Sequence, residues 1–154
     1  MGLLEPHARH GGGDGAALVS APVVIVHDLR QAQAALAAAA SAGRPVTLLS
    51  PPDAAASWGA LYFQSLIRLA AAAHPEVALT AMLDCGERPG DVLAALRQGI
   101  ADVVFHGGGD VRAKLAAIAE AYGARLHAPM TADLDLASVR DPAAACHAAF
   151  AALG

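Results

Sequence analysis

Short apolar runs rich in β-branched residues alternate with alanine-rich helical stretches along this chain, and that alternation constrains the fold more than any other feature. The runs are VVIV from Val23, VTLL from Val46, VALTAML from Val77 and IADVVF from Ile100, with a shorter LHAP from Leu126 as a fifth, edge strand. The first is too short for a helix and apolar at consecutive positions, the pattern of a parallel strand buried on both faces. Helix signals stand between the runs. Asp28 can cap LRQAQAALAAAASA and Gly43 stops it; Asp53 or Ser57 precedes the aromatic segment Trp58–Ala73. Pro89 suits a first helical turn that Gly99 later ends, and Asp110 opens a helix with Val111, Leu115, Ile118 and Tyr122 on one face. A last helix is expected from about Pro142 to Leu153.

Residues 1–20 hold Pro6, His7, His10 and the run GGGDG, with little apolar surface to bury, and read as a flexible N-terminal arm. Residues 21–154 then form a single α/β domain, for which strand–helix alternation with short connections predicts a parallel sheet of four or five strands between helices. A three-layer αβα, flavodoxin-like arrangement is the first expectation, and half of a (β/α)8 barrel is the alternative. The apolar share of 56% exceeds the usual ~45–50%, and the charged share of 16% falls below the usual ~25%, so apolar surface is left over and a homodimer is expected. The helix around Trp58, Tyr62 and Phe63, the richest in large apolar groups, is the candidate contact surface.

Charge and cysteine content narrow the function classes. The net charge is −4, with nine arginines and the single Lys114 scattered along the chain, so no basic footprint for nucleic acid or anionic membranes is present. No apolar run reaches the ~18 residues of a membrane span, and MGLLEPHARHGG lacks the apolar core of a secretion signal. Cys85 and Cys146 stand far apart in sequence, which suits free thiols in a reducing cytoplasm.

In a parallel sheet every strand ends on one edge, and ligands bind there. That rule gathers His27, Asp28, Ser50, Asp84, Cys85, His106, Gly107, Gly108 and Gly109, with His127 further along, as the ligand-binding candidates. His27, Cys85 and His106 are ligand types for zinc or another divalent ion, with Asp84 as a further ligand or acid/base group, although no HxH or CxxC spacing is present. A histidine at a strand end is more often a hydrogen-bonded packing residue than a ligand. Gly107–Gly109 open into a helix whose N–H groups could meet a small anion, while Asp110 would compete for them. Asp84 and Cys85 are the catalytic candidates, Cys85 as a thiolate or as a small buried residue.

Two resemblances follow from these stretches. VALTAMLDCGERPGDVLAALRQGIADVVFHGGG resembles a segment of class II, zinc-dependent aldolases, in which a strand ends in an Asp-His-Gly triplet. On that likeness Asp84 takes the place of the catalytic acid, and Cys85 that of a zinc-binding histidine. The region from Pro45 to Gly108 is similar to a response-regulator receiver domain in which Ser50 replaces the phosphoacceptor aspartate and Gly107 stands near the lysine position. Because each template loses its decisive residue here, the expected function is a non-catalytic ligand-binding or regulatory module. The alternative is a metal-dependent lyase or hydrolase acting on a small phosphorylated metabolite.

Overall fold

The structure is a computed structural model and describes residues 21–154; the arm expected over residues 1–20 lies outside the described residues. The elements in chain order are β1 (Val23–Ile25), α1 (Leu29–Ala42), β2 (Val46–Leu49), α2 (Ala54–Ser57), α3 (Ala60–Ala72) and β3 (Leu79–Asp84). They continue with α4 (Pro89–Gln98), β4 (Asp102–Val104), α5 (Gly109–Ala121), β5 (Arg125–His127), β6 (Leu134–Asp135) and α6 (Pro142–Leu153). All strand pairs are parallel, as the alternation requires, in the order β5-β4-β3-β2-β1-β6.

The strand order separates the two expected arrangements. A flavodoxin-like sheet runs 2-1-3-4-5 and reverses direction at its centre. Here β1 to β5 advance one way only, and right-handed crossovers that never reverse place every connecting helix on the same face. Helices α6, α1, α3, α4 and α5 accordingly pack side by side in that order. This is the half-barrel alternative, with two layers where an αβα sandwich has three.

Side-chain alternation along the strands divides the core in the same way. Val24, Val26, Val46, Leu48, Leu83 and Val103 point into the helix layer, where they meet Leu36, Leu66, Val92, Leu115 and Phe150. The opposite face carries a small cluster of Leu49, Met82 and Val104 against Val23, Ile25 and Met130. Met130 belongs to the β5–β6 connection, so a loop covers this face.

That connection also bends the sheet. Only residues 128–133 join β5 to β6, with a reach of about 24 Å, while five strand spacings of about 4.8 Å separate those strands on a flat sheet. The chain must also descend about three residues, since Leu134 pairs with Val24. A flat sheet cannot meet both demands, so the sheet curls and the connection crosses its concave side.

Local signals explain most of the boundaries. The Asp28 side chain accepts from Gln31 N at 2.8 Å and caps α1, Gly43 ends it in the left-handed region, and Asp141 caps α6 through Ala144 N. The helix expected after Asp53 or Ser57 is interrupted: α2 closes at Ser57, before the aromatic segment, and α3 starts at Ala60, after Gly59 at φ 82°. The loop expected after LHAP contains β6, a sixth strand of two residues. It is tied to β1 by Val23 N donating to Asp133, by the His27–Asp135 pair and by buried Gln31, which accepts from His27 N and donates to Leu136 O. No helix among the described residues is long and apolar enough to cross a membrane.

Candidate functional site

The C-terminal edge holds a polar cleft of about 410 Å³ lined by Pro52, Asp53, Asp84, Gly86, Glu87, Arg88 and His106. Asp84 lies at its floor. The last residue of β3, it points to the concave face, and its side chain is only 7% exposed. Oδ1 accepts from Gly86 N at 2.8 Å and from Asp53 N at 3.1 Å, and Oδ2 faces His106 Nε2 at 2.8 Å. Three hydrogen-bond partners around a buried carboxylate hold it in one rotamer.

His106 follows β4 and is fixed from below by its own N–H donating to Gly86 O at 2.8 Å. With Nε2–H given to Asp84, the neutral ring keeps an Nδ1 lone pair for a ligand, and 34% of the side chain is exposed to meet one. Ser50 is buried beneath the pair: its Oγ accepts from Asp84 N at 2.9 Å and donates to Pro51 O. It positions Asp84 and does not line the cleft.

The cleft wall rests on an unusual turn. Asp53 adopts φ 60°, and its side chain turns away from α2 to bind Arg88 at 3.0 Å. Gly86, at φ 59°, lies directly under that carboxylate, and a Cβ there would overlap Asp53 Oδ1. Asp53, Glu87 and Arg88 are the charged cleft residues that the sequence did not point to as ligand contacts, beside Pro52 and Gly86; Asp53 carried only the ordinary signal of a helix cap.

The other candidates fall elsewhere. Cys85 follows Asp84 and therefore points to the opposite face, into the helix layer, where it is fully buried and Sγ donates to Leu83 O. Burial, reinforced by the charges of Asp91 and Asp84, pushes its thiol up to about 12, so it is neither nucleophile nor ligand at neutral pH. His27 pairs with Asp135 across the β1–β6 boundary. His27, Cys85 and His106 are therefore not assembled, and no group of three His, Cys, Asp or Glu residues among the described residues is placed to hold a metal ion. A zinc site does not fit this arrangement.

The glycine loop differs from expectation in detail. Gly108 is the cap position of α5 and Asp110 lies in its first turn without capping, while Gly107 is kept small by the Phe105 ring, whose Cζ a Cβ would approach to 2.5 Å. Asp28 is occupied as the cap of α1. His127 bonds Asp102 at 2.8 Å on the concave face, away from the cleft.

Comparison with known proteins bears on the fold alone. No family model matches the chain, and no curated protein matches it. A crystal structure from Coccidioides immitis, provisionally assigned as a fructose-1,6-biphosphate aldolase, is similar with a TM-score of 0.59 at 20% identity over 70% of this chain. The chain spans 40% of that protein's length. Fold and edge together thus define the class: a parallel α/β protein with partial-barrel architecture and a polar cleft at its C-terminal edge.

Proposed function

We propose that the protein is a small-molecule-binding module whose ligand occupies the cleft over Asp84 and His106. The observation that carries this reading is the buried Asp84 carboxylate, held by two backbone N–H groups and aimed at His106, the one imidazole lining the cleft among the described residues. Such an arrangement costs desolvation and does no packing work, which is the usual mark of a ligand site. Three carboxylates, Asp53, Asp84 and Glu87, face one arginine already paired with Asp53, so the cleft suits a hydroxylated or amine-bearing metabolite over a phosphorylated one.

The His106–Asp84 hydrogen bond favours a second reading, a metal-free acid–base enzyme. An imidazole oriented by a buried carboxylate is half of a proton-transfer device. Among the described residues no Ser, Thr, Cys or Lys lines the cleft, so the chemistry this pair supports best is proton transfer.

The test is backbone NMR titration with a panel of polyols and small amines, with glycerol phosphate as the anionic comparison. Hydroxylated or amine probes are expected to shift the Gly86, Glu87 and His106 amides saturably, with affinity falling about tenfold in His106→Gln. No shift with any probe, or tighter binding of the phosphate, refutes the ligand assignment. Exchange of a ligand C–H with solvent deuterium, lost in His106→Gln, would establish the enzyme reading over the module.

A further inference from the structure

A second cleft, of about 440 Å³, opens at the opposite, N-terminal edge of the sheet. Phe63 and Ile67 of α3, Leu79 and Ala81 of β3 and Ile100 before β4 give it an apolar body. Its mouth is kept open by small residues at the turns, Gly99 at φ 97°, Ala101 and Gly123 at φ 73°. One rim is fixed by a reciprocal amide pair, Gln64 Nε2 to Gln98 O at 3.1 Å and Gln98 Nε2 to Gln64 Oε1 at 3.0 Å.

Arg125, the first residue of β5, stands at the polar end. Its Nε and Nη2 donate to Asp102 Oδ1 and Oδ2 at 2.9 and 3.3 Å. Asp102 is almost fully buried and is itself held by His127 Nε2 at 2.8 Å, so the guanidinium is clamped along one edge. The other edge, with Nη1, has no partner among the described residues, and 53% of the side chain remains exposed. A planar fork fixed beside an apolar cavity is the geometry that recognises carboxylates.

We propose that this cleft binds a small monocarboxylate with an apolar body, the carboxylate on the outer edge of Arg125 and the body against Phe63, Ile67 and Ile100. The site is separate from the cleft over Asp84 and shares no residue with it. The anionic ligand that the sequence suggested for the glycine loop thus fits the other end of the sheet better.

The experiment is NMR titration of the full chain with 3-phenylpropionate and with octanoate, a flat ring and a linear chain bearing the same head group, against 3-phenylpropionamide as the neutral comparison. Saturable shifts of the Thr80, Ile100 and Ala101 amides by either acid, with Gly86 and His106 unmoved, support the site, and the acid that binds tells which body shape fits. The amide is expected to bind about tenfold more weakly, and Arg125→Gln to remove that difference. Should Arg125→Gln fail to fold, Ala101→Glu decides: it places a negative charge at an exposed lining position and should weaken the acid while sparing the amide. The proposal is overturned if neither acid gives saturable shifts there, if acid and amide bind alike, or if affinity for the acid survives both substitutions.

Discussion

Asp84 and Cys85 are neighbours in sequence and lie on opposite faces of one sheet. The period of two in a strand sends the carboxylate to the concave side and the thiol into the helix layer, so a site built on both was never sterically available. That much was legible in the sequence once β3 was placed. The partner of Asp84 was not, because His106 reaches it only through the β3–β4 register, in which Asp84 pairs with Val104. The Asp53 turn was likewise hidden, since a residue at positive φ with its side chain bound to Arg88 gives the same sequence signal as a helix cap. Burial pushes Cys85 up to about 12 and Cys146 up to about 11, so neither thiol should react with a disulfide reagent at about pH 8 in the native protein, and both should react in denaturant. Rapid labelling of native Cys85 would contradict its placement. Gly86→Ala should cost more than about 1 kcal/mol in urea denaturation, because alanine is strained at φ 59° and must expel the Asp53 carboxylate from Arg88. Asp53→Ala in the same background should recover part of that loss, since it removes the atom in the way while leaving the strain.

At the scale of elements, caps and stops were the readable part and partners were not. α1 and α6 follow their Asp caps closely, and α6 spans Pro142 to Leu153 as expected. In α5 the anticipated inward stripe splits: Leu115 is buried, whereas Val111, Ile118 and Tyr122 remain 46%, 37% and 53% exposed. The reason is topological, since β5 is followed by a loop, and among the described residues no further helix lies beyond α5 to cover its outer flank. Similarly, Phe63 of the aromatic segment is core, while Leu61, Tyr62 and Leu69 face outward from α3. The heaviest helix contact joins the last helix to the first, and Cys146 and Phe150 of α6 share a cluster with Ala32, Ala35, Leu36 and Ala39 of α1. So many alanines allow the two helices to approach closely, and the few large groups between them carry most of the burial. Phe150→Ala should therefore cost about 3–5 kcal/mol by urea denaturation. A loss under about 1 kcal/mol would show that α6 is not an integral part of the domain.

For the whole molecule, the short connections and apolar runs specify parallel strands but not their order. Singly and doubly wound sheets bury the same strand pattern against helices, and the difference lies in the direction of each crossover, which no local signal encodes. What makes this sheet distinctive is the polar part of its concave face, where His27–Asp135, His106–Asp84 and His127–Asp102 with Arg125 surround the small apolar cluster of Leu49, Met82 and Val104. Two of the carboxylates, Asp102 and Asp135, make fold stability dependent on acid. Burial alone would raise Asp102, but hydrogen bonds from His127 and Arg125, with their charges, outweigh it and hold the carboxyl below its ordinary value. Asp135 is also lowered, desolvation being outweighed by the Ala137 N–H and by His27. A carboxyl whose native value lies below the unfolded one, about 3.9, is protonated more readily by the unfolded chain. Its stabilisation is complete above that unfolded value and drains away as falling pH passes down through the native value. Asp102→Asn keeps the shape and removes the charge, so its deficit against the wild type should be about 1.5–3 kcal/mol near neutral pH and shrink as the pH falls below about 4. Urea denaturation of both proteins at about pH 6, 4.5 and 3 measures that gap. A gap that stays constant across this range, or widens in acid, would mean that Asp102 contributes through hydrogen bonds that asparagine cannot accept and not through its charge, and the clamp on Arg125 would lose its electrostatic basis.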